Sequence, residues 1–499
     1  MRHTRRLVGL VVALMLTITA AACSRPDSQE EAGRVLNIGA TAEPVGMDMI
    51  TTSGAAIPFV LLYNVYETLV KLDADGNIRP LLASEWTDSA DGTVYTFTLQ
   101  PDAKFASGAP VDADAVVASF ERARSDAATE QIRSQWDVVD TIEATDAHTV
   151  TVTLRTPSNR WLYDLTGSAG IISDPTATDL ATTPAGSGPY QFASWEQGSH
   201  VELTANDAYW GTAARFDDVF FRFYSDSNAM TTAMLSSQLD IISNLPVPTA
   251  VDQFADTSRF TVYEGSSQGE VVLGFNQENK ALSDLKVRQA INHAIDRQAL
   301  MDSVWGGKGQ LIGSMVPPTD PWFEDLSDTY AYDPEAARAL LKEAGYEDGL
   351  SITLSVPTLP YGPTSGRFIV AQLAEVGITV KLEELEWARW LDLVYTKHDY
   401  DMTIVAHVEP RDMRAFATEG NYWNYDNEQF NELLRQADEG TVEDQTTKLK
   451  EAARVLADDA AADWLFLLPN IVIATTDISG IQANQVSMSF DLTTLAARN

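Results

Sequence analysis

The sequence predicts an α/β protein of two lobes, and three observations predict it. The chain has 499 residues, more than one core serves, since single cores stop growing at about 250–300 residues. Its first half alternates apolar and polar residues with period two, and from about residue 270 strand and helix patterns succeed one another, the succession that builds a parallel or mixed sheet. Neither half carries a phosphate-binding loop, so the expected use of two such lobes is to hold a ligand in the cleft between them.

The amino terminus reads as a targeting segment. Arg2, Arg5 and Arg6 precede a mostly apolar run from Leu7 to Ala22, which stops at Cys23 behind small alanines. That order is a secretory signal, and the polar "SRPDSQEEAG" that follows has no stop-transfer character. "AAAC" resembles a bacterial lipobox, with Ala20 where leucine is usual. The resemblance implies cleavage after residue 22 and a lipid on Cys23, with residues 23–33 as the tether. Cys23 is the only cysteine, so an exported chain of this sequence forms no internal disulfide. Losing residues 1–22 removes three arginines and no acids, which leaves 31 basic residues against 71 acidic ones, a charge of −40. Such a chain does not suit nucleic acid, which asks for a basic patch; the charge serves solubility.

Strands dominate the first half. "TVYTFTL" (93–99) puts Tyr95, Phe97 and Leu99 on one face, and "HTVTVTLRT" (148–156) does so with Val150, Val152 and Leu154. Between them "VDADAVVASFERAR" (111–124) reads as helix, with Val116, Val117 and Phe120 on one side. "HVELTAN" and "VFFRFY" read as further strands, and "SNAMTTAMLSSQLDII" (227–242) as helix. In the second half, "DLKVRQAINHAIDRQAL" reads as one helix stopped by Gly306 and Gly307. "YDPEAARALLKEAGY" carries a cap at Asp333, Pro334 in the first turn and Gly345 at the end. Strand, helix, strand and helix follow in "LSITLSV", "SGRFIVAQLAEVG", "ITVKLEEL" and "WARWLDLV"; helical spacing assigns Trp387, Leu391 and Val394 of the last to the core.

Catalytic motifs are missing. The histidines are scattered, with no HExxH, CxxC or clustered metal-ligand spacing. "GSGPY" lacks the strand and helix context of a nucleophile elbow. No enzyme activity, metal or cofactor is expected; an extracellular hydrolase and a sensory or adhesive surface protein are the readings outside transport.

Several stretches resemble the extracytoplasmic solute-binding proteins of peptide, opine and nickel ABC transporters, family 5. They are "LNIGATAEPVGMDMITT", the run 65–120 from "VYETLVKLDADGNIRPLLASEW" onwards, "GSGPYQFASWEQGSHVELTANDAYWG" (186–211), "LGFNQENKALSDLKVRQAINHAIDRQAL" (273–300) and "YDPEAARALLKEAGY". The resemblance implies a two-lobed periplasmic-binding-protein-like fold of type II, in the large class with an extra subdomain. Lobe I is expected at 34–270 with the subdomain near 75–185, lobe II at 271–474, and the return to lobe I at 475–499. It further implies a monomer outside the cytoplasm, tethered at Cys23, that hands a small molecule or short peptide to an ABC permease and its ATPase.

In peptide-binding members an aspartate after a lobe II strand pairs with the ligand's amino terminus. The corresponding segment here is "AHVEPRDMRAF" (406–416), which implies Asp412 as the amine-binding carboxylate, Glu409 as its competitor, and Arg411 or Arg414 for a ligand carboxylate. The alternative is that Glu409, Arg411 and Asp412 form a surface ion-pair cluster. His407 is the residue a nickel-chelate binder would use, and nickel, opine and oligosaccharide remain the other ligands within the family. Tyr422 and Trp423 lie in the turn-like "EGNYWNYDN", where a ring can wall a pocket.

Overall fold

The computed structural model describes residues 34–498; the signal segment, Cys23 and the tether expected at 23–33 lie outside them. Among the described residues, ten strands form one mixed sheet: β1 (Val35–Ala40), β2 (Tyr190–Glu196), β3 (His200–Ala205), β4 (Asp218–Phe223), β5 (Ile241–Ile242), β6 (Phe260–Phe275), β7 (Leu350–Pro357), β8 (Ile378–Leu385), β9 (Met402–His407) and β10 (Ala462–Thr475). Their order is β2-β3-β4-β1-β5-β10-β6-β9-β7-β8. A separate four-stranded antiparallel sheet is built from 83–88, 94–99, 149–154 and 139–146. Its strands show the expected alternation, with Tyr95, Phe97, Leu99, Val150, Val152 and Leu154 all buried.

The large sheet serves more than one core. One core takes Leu36 and Ile38 of β1 with Phe97, Phe120 and Trp161. Two others cover the opposite end: Ile291, Leu354 and Ile404 in one, Trp390, Phe416, Trp423 and Phe430 in the other. The antiparallel pair β6 and β10 passes between them. Val472 and Ala474 pack with the first core, while Leu465 and Phe466 pack with the second. Their register breaks between Ser266 and Glu270, opposite Leu467 to Pro469.

Two helical expectations change in detail. The run 285–300 is two helices, Leu285–His293 and Arg297–Trp305, because the Asp296 carboxylate accepts the Ala299 N–H and starts a new helix. The helix expected over 227–242 stops at Leu235, and the chain then extends into β5. Asp333 caps Pro334–Glu343 as its sequence requires.

Two of the family-like stretches, 65–120 and 186–211, converge on one carboxylate. Glu67 of "VYETL" is buried and accepts hydrogen bonds from the Ser187 hydroxyl (2.7 Å) of "GSGPY", and from the Tyr209 hydroxyl (2.7 Å) and Trp210 Nε1 (3.0 Å) of "AYWG". Burial outweighs these three donors and pushes the carboxyl up to about 7. A carboxyl raised from 4.5 stabilises the folded chain below that value, and the contribution is lost as pH rises through about 7. Glu67→Gln removes the titration, so wild type loses stability relative to the variant over that window. Parallel melts of the two proteins at several pH values check this; parallel curves contradict it.

Candidate functional site

A cavity of about 800 Å³ opens between the cores. Met49, Gln131, Arg160 and Tyr163 line it from the side of the first core, and Asp320, Trp322 and the segment 408–415 from the side of the others. A second cavity of about 310 Å³ adjoins it at Ala55, Val408 and Ser487.

The segment 408–415 is placed by what precedes and follows it. β9 is clamped between β6 and β7 and ends at His407. The 3-10 turn Asp412–Ala417 buries Met413 and Phe416 in the core. Between them Arg411 takes a left-handed backbone at φ 59°, an uncommon conformation for a residue other than glycine. The chain therefore turns sharply and presents Glu409, Arg411, Asp412 and Arg414 to the cavity.

These four do not pair among themselves, so they are not the surface ion-pair cluster of the alternative reading. The Gln131 side-chain amide donates to Glu409 at 2.7 Å, and burial raises the Glu409 carboxyl. Arg411 stands 3.9 Å from Asp320, an ion pair too long for a hydrogen bond. Its guanidinium is held between two rings, 3.5 Å from the Tyr163 centroid and 4.7 Å from that of Trp322. Arg414 is 3.4 Å from Asp438, and burial lowers its pKa with Asp438 opposing.

Asp412 meets His407 Nδ1 through Oδ2 at 2.9 Å, while its Oδ1, also buried, has no partner. His407 Nε2 lies 2.8 Å from the Tyr422 hydroxyl, so both ring nitrogens have protein partners. Among the described residues no group of three or more His, Cys, Asp or Glu is arranged to hold a metal. His407 and Tyr422 stand behind Asp412 and do not line the cavity. Trp423, expected to wall the pocket, is placed in the core: it is 1% exposed and stacks on Phe416 at 4.0 Å.

The wall is formed instead by a helix assigned to the core. Trp387–Trp390 continues as a π-turn, Leu391–Thr396. Trp387, Leu391 and Tyr395 share the face that lines the cavity and are 43%, 37% and 56% exposed, while Trp390 and Val394 face inward. Spacing groups Trp387 with Leu391 correctly; it does not say which side is covered, and only Val394 of the expected stripe is buried. Asp320, Trp322, Tyr163 and Asp438 escape sequence reading because they come from separate segments, although the proline-flanked aromatic in "PPTDPWF" (317–323) is a turn signal next to a large ring.

The family model for bacterial extracellular solute-binding proteins, family 5, matches residues 77–412. The dipeptide-binding protein of Escherichia coli (strain K12) is 30% identical over 346 residues, 63% of this chain and 64% of that protein, so the match spans under two thirds of that relative's length. The probable D,D-dipeptide-binding periplasmic protein DdpA of the same strain is 27% identical over 98% of both chains. Among solved structures, the periplasmic binding protein DppA from Helicobacter pylori, in complex with the peptide STSA, superposes with a TM-score of 0.78 at 24% identity, covering 93% of this chain and 98% of that one. With its mixed sheet, its separate cores and the cavity between them, the chain belongs to the bacterial extracellular solute-binding proteins of family 5.

Proposed function

We propose that this chain is the substrate-binding component of an ABC importer and captures short peptides between two lobes outside the cytoplasm, tethered to the membrane through Cys23. The observation that carries this reading is the cavity between the cores, walled by Asp412 with one carboxylate oxygen free. A peptide's ammonium end donates to that oxygen, and the guanidinium groups of Arg411 and Arg414 stand on the same wall for its carboxylate end. Backbone polar groups of the guest meet Gln131 and Glu409, and its side chains meet Trp387, Leu391 and Tyr395. Lobe I comprises 34–270 and the return of the chain, which begins before 475 because Val472 and Ala474 already pack with the first core, and lobe II comprises the residues from 271 up to that return. A guest that touches both favours the closed arrangement by its differential affinity for it. The permease then receives the loaded monomer, and no bond is made or broken by the chain itself.

Melting the mature protein with dipeptides, longer peptides, nickel with histidine, and oligosaccharides tests the reading. A guest bound by the native state alone stabilises it by about 2.7 kcal/mol at a hundredfold excess over Kd, so dipeptides or longer peptides are expected to raise Tm. A rise with nickel and histidine or with oligosaccharides, and none with peptides, overturns it. The anchor is checked separately by partition of wild type and Cys23→Ser between detergent and water, with only wild type expected in the detergent phase.

A further inference from the structure

Three carboxylates lie close enough to act on one another's charge, and one of them, Asp320, faces Arg411. Glu270 comes from β6, where it stands in register with His407 of β9. Asp320 comes from the proline-rich turn before Trp322, and Asp412 from the 3-10 turn. Glu270 and Asp320 are 2% and 9% exposed. Glu270 Oε2, Asp320 Oδ2 and Asp412 Oδ1 are buried and have no hydrogen-bond partner in the chain. A buried charge without a partner is costly, and here the guanidinium of Arg411 faces Asp320 alone, at 3.9 Å, and is already packed against Tyr163 and Trp322. His407 has both nitrogens engaged, by Asp412 and Tyr422.

Asp320 and Asp412 both line the cavity. We propose that Asp320 is a second anchoring carboxylate for the guest, and that it receives with Asp412 one protonated amino group donating to both acids. An ammonium has three donors and no acceptor, which suits two free carboxylate oxygens. A dication is the poorer match, since the described residues include no metal-holding group of three or more such side chains. The assignment rests on the peptide reading only for what carries the amine; the chemistry it asks for is a cationic amine, and a neutral oligosaccharide does not supply it.

A proton is linked to capture. Burial pushes the Asp320 carboxyl up to about 7, with Arg411 opposing and the Asp412 charge adding. Burial and then the Asp412 charge also raise Glu270. The charged and titratable groups facing Asp320 are thus Arg411, Asp412, Glu270 and, across the stacked guanidinium, Tyr163. Below about 7 the empty Asp320 holds a proton, and an incoming ammonium displaces it, so affinity rises with pH through that region.

Isothermal calorimetry on the folded chain tests this with Ala-Phe and its N-acetylated form, at about pH 6 and about pH 8, in two buffers of different ionisation enthalpy. Wild type is expected to bind Ala-Phe at least about tenfold more tightly than the acetylated peptide, and to release a proton at the lower pH. Asp320→Asn is expected to bind about tenfold more weakly and to lose that release, and Asp412→Asn to weaken binding at both pH values. Near-ultraviolet dichroism verifies the fold, and Asp320→Ser replaces Asp320→Asn if the latter does not fold. A folded Asp320 variant that binds Ala-Phe within about twofold of wild type, with the proton release intact, overturns the assignment. Should wild type bind neither a dipeptide nor a longer peptide, the peptide reading fails by itself, and lysine and putrescine replace Ala-Phe. An Asp320-dependent loss of amine binding then sustains the assignment, and the absence of binding by either amine overturns it.

Discussion

Trp423→Ala lowers the stability of the folded chain by about 3–5 kcal/mol, the usual cost of deleting a buried aromatic side chain. The indole is 1% exposed and parallel to Phe416 at 4.0 Å, with Tyr422 at 4.1 Å and His407 at 5.1 Å. It also lies against β6 so closely that a Cβ on Gly274 would stand 2.8 Å from Nε1, which leaves glycine as the residue that fits there. With so many fixed neighbours the space does not collapse after truncation, and the cavity adds to the lost transfer energy. Binding falls as well, because the indole backs His407 and Tyr422, which in turn fix the Asp412 carboxylate. Urea unfolding followed by dichroism measures the loss. A change below about 1 kcal/mol would show that the ring contributes no more than an exposed one.

That residue marks where sequence reading ends. The strands of the four-stranded sheet are legible because period-two alternation states which face is covered. Helix Pro334–Glu343 is legible because cap, proline and glycine are all local. Trp423 and Trp387 are not, since a turn with two rings and a helix with two apolar faces give the same pattern whether a ring walls a cavity or fills a core. Only the packing of Phe416 over one and the opening beside the other decide. The segment 406–416 is legible as a site because it resembles a motif. Its partners Asp320, Tyr163 and Asp438 lie between 24 and 248 residues away in sequence from the arginines they meet, and no period or spacing connects them. Charge partnership of this kind is created by topology, through the crossing of β6 and β10 that brings the cores to one cleft.

Asp438→Ala loosens that cleft. Asp438 lies in the last turn of a helix, Glu428–Glu439, whose Leu434 and Ala437 belong to the same core as Trp423. The facing segment 158–160 leads into Trp161 of the first core. Across this boundary the Asp438 carboxylate accepts the Ser158 hydroxyl and the Arg160 backbone N–H, each at 3.0 Å. Its backbone carbonyl accepts the Asn159 N–H at 2.8 Å, and the Asn159 side chain donates to the carbonyls of Ala437 and Gly440. Removing the carboxylate deletes two charge-assisted hydrogen bonds, each contributing about 1.5–3 kcal/mol at most, and leaves Arg414 without its partner. The backbone and Asn159 bonds survive, so a net shift of about 2–3 kcal/mol away from the closed arrangement is expected. At about 1.4 kcal/mol per factor of ten, affinity for the guest falls about 30- to 140-fold, because the closed form that binds is less populated. Overall unfolding changes less, since neither core loses a packed side chain. X-ray scattering of the empty protein and calorimetry of its best guest read the two effects together: a larger radius of gyration must accompany the weaker binding. Weaker binding at an unchanged radius would place Asp438 in contact with the guest rather than in the contact that shuts the lobes, and wild-type values of both would remove it from closure.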